Sequence, residues 1–137
     1  MTGRAIVVRN LAEAEAALAA ASDLRHPVTL LSAENAANTV GPLWFRELVA
    51  QARAAHPEAE VTAILDCGDA PGSVAAALRL GFTQIRFSGR GRAAQALAEI
   101  AAAQGATLLA RRPQALDLQG SGDPAKACSA WLGSGSG

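Results

Sequence analysis

Tyrosine is absent from the chain, methionine occurs once, and all aromatic residues together make up only 4% of the sequence. A core with so few rings is built from small aliphatic side chains, and the abundant alanine fits helices packed tightly on a sheet. Lysine occurs once, at Lys126 near the end of the chain, which excludes a Schiff-base lysine in the body of the fold. Neither cysteine, Cys67 or Cys128, stands at metal-ligand spacing, and two thiols in 137 residues argue against a disulfide framework. There is no excess charge of either sign, with 12 basic against 12 acidic residues, so neither a nucleic-acid partner nor a disordered acidic chain is expected. No apolar run approaches the roughly 20 residues of a membrane span. The opening MTGRAIVVRN has too short an apolar core for a signal peptide, and the expectation is a cytoplasmic protein.

What is present is a hydrophobic pattern, over half of the residues, that switches period repeatedly. Short strand-like runs at 5–8, 28–32, 60–66, 83–88 and 106–110 alternate with helical stretches. Asn10 followed by Glu13 has the form of a capping box, Pro42 suits a first helical position, and Gly81 suits a helix C-terminus. In the helix after Gly41, Phe45, Leu48, Val49 and Ala52 fall on one face, and Trp44 falls off it. Alternation of this kind predicts an α/β fold of repeated βα units with a four- to five-stranded parallel sheet. Its unit length fits either half of a TIM barrel or a small flavodoxin-like sheet. Residues 1–112 read as a single α/β domain, and residues 113–137 as a flexible tail rich in Gly, Ser and Pro. Within that tail a docking turn is expected around 127–132, and the closing GSGSG is as readily a cloning remnant as native sequence.

Ligands of parallel α/β folds bind beyond the carboxyl ends of the strands. Arg9, Asn10, Ser32, Glu34, Asn35, Asn38, Asp66, Cys67 and Asp69 belong to that rim, together with Ser88, Arg90, Arg92, Arg111 and Arg112. Its arginines outnumber its acids, which favours an anionic ligand. Asp23, Arg25, His26, His56, Glu58 and Glu60 belong to the opposite rim. Both histidines are thus on the wrong side for a base or a metal ligand, and no metal site is expected. Proton transfer at the carboxyl rim is left to Asp66, Asp69, Glu34 and Cys67.

Two stretches carry the candidate chemistry. In FSGRGR, the segment Ser88, Gly89, Arg90, Gly91 and Arg92 joins a strand to a helix, where backbone N–H groups and arginine can hold a phosphate or carboxylate. The plain alternative is a turn with solvated arginines. In ILDCGD, Asp66 is in phase with Thr62 and Ile64, and Arg86 lies on the polar face of the next strand. One reading pairs Asp66 with Arg86 and makes Asp69 an N-cap. The other makes Asp66 a site carboxylate and Cys67 a thiol of lowered pKa at a helix entrance. Gly89 and Asp66 mark the two ends of the candidate rim.

The segment 61–89, VTAILDCGDAPGSVAAALRLGFTQIRFSG, resembles the strand–helix–strand of class II fructose-bisphosphate aldolases. That family has an apolar strand ending Leu-Asp-His-Gly, then a helix, then Gly-Phe-Thr and another strand. Leu65, Asp66 and Gly68 match, as do Gly81, Phe82 and Thr83. The resemblance implies a TIM-barrel fragment with Asp66 in the place of the catalytic acid/base and Cys67 in the place of the zinc-binding histidine. Only about a fifth of the chain is covered.

The expected protein is therefore a small α/β domain that is more a binder than an enzyme, taking a small anionic metabolite without a cofactor. Its candidate ligand residues are Ser88, Gly89, Arg90, Gly91, Arg92, Asp66, Asp69, Glu34 and Asn35. The alternatives are an aldolase-like lyase using Asp66 and Cys67, and a purely structural partner protein. An unclosed sheet with open edges predicts a homodimer, with Trp44 a further contact candidate.

Overall fold

The computed structural model describes residues 3–134. Its strands are β1 (Arg4–Val7), β2 (Val28–Leu31), β3 (Val61–Asp66), β4 (Gln84–Arg86), β5 (Thr107–Leu109) and β6 (Ala115–Asp117). They form a six-stranded parallel sheet in the order β5-β4-β3-β2-β1-β6. Five consecutive strands thus lie side by side in sequence order, as in a TIM barrel and unlike the 2-1-3-4-5 order of the flavodoxin-like sheet. The helices are α1 (Leu11–Leu24), α2 (Ala36–Thr39), α3 (Pro42–Ala55), α4 (Pro71–Arg79), α5 (Gly91–Ala103) and α6 (Pro124–Ser134). The chain divides into two compact units, one of residues 1–31, 47–62 and 113–137, the other of residues 32–46 and 63–112.

In the first unit β1 pairs with β2 on one side and β6 on the other. Every residue of β2 is buried, as expected of an interior parallel strand covered on both faces. The entry to α1 is fixed as the sequence predicts. Asn10 Oδ1 accepts from Glu13 N at 2.8 Å, and Glu13 Oε1 accepts from Arg9 N at 2.8 Å. The first unit also corrects one expectation. Residues 113–134 are not a flexible tail, since they carry β6 and α6. Cys128 and Leu132, one helical turn apart, are buried as α6 packs on α1. Trp131 donates its indole N–H to Ala5 O at 2.8 Å, and the Arg4 guanidinium stacks 3.4 Å over its ring. Arg9 forks onto both carboxylate oxygens of Asp117, the last residue of β6. The final residues 135–137 of GSGSG lie outside the described residues.

In the second unit β4 is paired on both sides, with Asp66 opposite Arg86 and Arg86 opposite Leu109. Ile85 and Phe87 are buried while Gln84 and Arg86 are half-buried, so the predicted alternation of this strand holds. The Phe45 and Phe82 rings stack with centroids 6.2 Å apart. Gly81, at φ +88, closes α4, and Phe82 N donates back to Ala77 O at 3.1 Å, the geometry of a Schellman stop. Two details differ from expectation. The loop after β2 contains the one-turn helix α2, entered through Asn35 in the left-handed region at φ +62. Asp69 does not cap α4; with Pro71 in the first turn, the cap position passes to Ala70, which has no side-chain acceptor.

Candidate functional site

Asp66 ends β3 with its side chain wholly buried, and every feature around it belongs to the second unit. Its Oδ1 accepts from the backbone N–H of Asn35 at 3.0 Å and of Gly68 at 2.8 Å. Its Oδ2 accepts from Arg112 at 2.8 Å and from Arg86 at 3.3 Å. The Asp66 N–H donates to Ser32 Oγ at 2.9 Å, and Arg112 also donates to Ser32 O at 3.1 Å. One carboxylate thereby ties together the ends of β3 and β4, the turn after β3, the loop after β2 and the segment after β5. Both carboxylate oxygens are thereby hydrogen-bonded and paired with positive charge, which is what a buried charge needs to be tolerated.

A second set of bonds braces the same loops. Asn38 donates to Cys67 O at 2.9 Å and to Asn35 Oδ1, and its own carbonyl oxygen accepts from the Ser73 hydroxyl. Gly68 sits at φ +58, where an L side chain is strained, and a Cβ there would lie 2.3 Å from Asn35 Oδ1 and displace that side chain.

The in-phase pairing of Asp66 with Arg86 is thus present, and Arg112 joins it. Cys67 follows the opposite course from a lowered pKa. Burial, and then the neighbouring Asp66 charge, push its thiol up to about 12. A thiol held protonated is a poor nucleophile. Among the described residues no three His, Cys, Asp or Glu side chains come together as a metal-binding group. The residues present therefore do not fit the zinc that the aldolase resemblance implies at this position.

The remaining candidates are spread around the cluster. Asn35 enters through its backbone, and Ser88 N donates to Gly68 O at 2.8 Å. Glu34, Asp69, Arg90, Gly91 and Arg92 are exposed. Gly89 has a packing reason, because a Cβ at that position would stand 2.2 Å from the ring of Phe87. Gly91, at φ +76 with open space around it, serves the backbone turn into α5. Arg112 and Ser32 are the members of the cluster that sequence reasoning placed on the rim without assigning to Asp66. The charge of the cluster is uneven. Two guanidinium groups answer one carboxylate, and among the described residues the buried Nε of Arg86 has no acceptor.

No protein-family model matches the chain. Over 82 residues, 60% of its length, it is 32% identical to a fructose-bisphosphate aldolase from a Nostoc species. Over 82 residues it is 31% identical to a plasmid-encoded fructose-bisphosphate aldolase from Cupriavidus necator. These stretches are 23% and 24% of the two relatives, so the chain spans about a quarter of the curated proteins it matches. A solved structure of a candidate fructose-1,6-bisphosphate aldolase from Coccidioides immitis aligns at a TM-score of 0.63 and 26% identity. That alignment covers 78% of this chain and 44% of the other. The chain resembles fructose-bisphosphate aldolases in sequence, and its α/β fold corresponds to a fragment of a TIM-barrel-like neighbour.

Proposed function

We propose that the chain is a non-catalytic, aldolase-like binding protein whose second unit takes a small phosphate- or carboxylate-bearing ligand at the carboxyl ends of its strands. The observation that carries this reading is the state of Asp66. An acid/base must exchange a proton with a substrate, and this carboxylate is buried with both oxygens already accepting two hydrogen bonds each. The same cluster sets two guanidinium groups against one carboxylate, an excess of positive charge that favours an anionic ligand. Ser88 and the exposed Arg90 and Arg92 follow Arg86 directly along the chain and extend the cationic segment. The relatives are named for a bisphosphate sugar, so phosphate is the first probe.

A phosphate titration tests this reading. Phosphate raises Tm by mass action, and Arg90→Ala combined with Arg92→Ala removes most of the rise, because both side chains are exposed and their loss leaves the fold intact. Equal shifts in phosphate and in chloride of matched ionic strength would contradict a specific site.

A second reading, a self-associating interaction protein, is favoured by one surface feature. Val40, Leu43 and Trp44 are 48%, 54% and 42% exposed within five positions of the chain. Apolar exposure gathered in this way marks contact surfaces. Sedimentation at micromolar concentration is expected to give a dimer mass, and Trp44→Ala with Leu43→Ala to give a monomer. A monomer mass for the unaltered chain would remove this reading.

A further inference from the structure

After each of the first four strands the chain runs into a helix, but after β5 it does not. Among the described residues, the hydrogen bonds of the linking segment 110–114 are those of one side chain, Arg112. Its guanidinium sets one nitrogen on Asp66 Oδ2 at 2.8 Å and the other on Ser32 O at 3.1 Å. Ser32 donates its own N–H to Ile64 O, on the side of β3 away from β4.

The strand order fixes where this segment lies. β4 stands between β5 and β3, and Ser32 continues the next strand over, so the reach from β5 to Ser32 is three strand spacings, roughly 14 Å. No arginine side chain is that long. The backbone at Arg112 therefore folds back over the carboxyl ends of β4 and β3, starting from Leu109, which is level with Arg86 and through it with Asp66. The receiving acceptors suit a guanidinium. Asp66 is wholly buried, the Arg112 side chain is 22% exposed, and two oxygens from different strands stand where a planar fork places two N–H groups. Around this contact Ala110, Arg111 and Gln114 are exposed. A segment held by so little else opens at a free energy set by that one contact.

We propose that residues 110–112 are a releasable strap over the carboxyl ends of β3 and β4, pinned by Arg112 in a guanidinium-binding site that a small guanidinium-bearing molecule fills when Arg112 leaves. In the closed state the chain supplies the occupant itself, at the high effective concentration of a tethered group. The strap stands apart from the anion reading, because its acceptors are Asp66 and Ser32 O and the phosphate response is not its readout.

Limited trypsin digestion of the full chain, followed by mass spectrometry, tests the strap. Arg111 is its cleavable residue, since Pro113 protects the bond after Arg112, and the exposed Arg90 and Arg92 report on the rest of the unit in the same digest. The rate at Arg111 relative to Arg90 and Arg92 is expected to rise about tenfold or more in Arg112→Ala, the scale of a lost charge-assisted pair. Methylguanidinium at millimolar concentration is expected to lower that ratio again in the variant and to raise its Tm, whereas methylammonium at the same concentration does neither. Arg112→Lys keeps the charge without the fork; it is expected to show the same rise in smaller measure, and it carries the test if Arg112→Ala does not fold. Equal ratios in the unaltered chain and the variants would overturn the strap. A methylguanidinium effect no larger than that of methylammonium would overturn the guanidinium site.

Discussion

Replacing Asp66 by alanine is expected to cost about 3–5 kcal/mol of folding stability, measured by urea denaturation. Two guanidinium groups, only 16% and 22% exposed, lose their common counter-charge. The backbone N–H groups of Asn35 and Gly68 lose their acceptor as well, each at a cost of about 1–3 kcal/mol when it stays dry. Those losses are not additive, since the freed arginines can turn toward water. They still amount to a large share of the roughly 5–15 kcal/mol that stabilises a domain. Asp66→Asn is expected to fall between, at about 2–4 kcal/mol, because its amide NH2 faces the same donors that Oδ2 now accepts. Arg112→Ala is expected to cost less, about 1–2 kcal/mol, because Arg86 remains on Asp66. A loss of under about 1 kcal/mol in Asp66→Ala would mean that the carboxylate is not the tie between these loops.

The second large effect is expected at Gly89. A methyl group there would lie 2.2, 2.7 and 2.9 Å from three atoms of the buried Phe87 ring. The ring must swing out of its packed position, and overpacking of this kind costs about 1–3 kcal/mol. Gly91→Ala meets nothing within 4 Å and suffers only the strain of φ +76, about 1 kcal/mol. The comparison separates two reasons for glycine in this turn. If Gly89 serves the packing of Phe87, Gly89→Ala loses the more stability and Phe87→Leu with Gly89→Ala recovers part of it. If Gly89 instead admits a phosphate close to the backbone, Gly89→Ala leaves stability nearly unchanged and abolishes the phosphate response.

The alternation of strands and helices was legible because each element has a strong local signature. Asn10 and Glu13 cap α1, Gly81 stops α4, and the stripe of Phe45, Leu48, Val49 and Ala52 is buried as its spacing requires. The pairing of Asp66 with Arg86 was legible for a similar reason, since a two-residue period places both on the ends of neighbouring strands. What escaped were features fixed by tertiary contacts. β6 is three residues long and gains its identity from pairing with β1. α6 buries only Cys128 and Leu132, too few apolar positions to stand out among glycine and serine. Arg112 follows β5 in a stretch without periodicity, so nothing local tells which carboxylate it will meet. Asp69 has the residue type of an N-cap, but Pro71 shifts the helix start and leaves Ala70 in that place. Cys67 has the sequence position of an activated thiol, and burial reverses its pKa.

The reading rests on Asp66 acting as a structural anchor and not as an acid/base. Cleavage of fructose 1,6-bisphosphate, followed with added zinc, tests it most directly. The expected rate for the unaltered chain equals that of a buffer control and of Arg112→Ala, in which Asp66 has lost one of its two guanidinium partners. Zinc-dependent cleavage by the unaltered chain that disappears in Asp66→Asn, with that variant shown to be folded, would contradict the account.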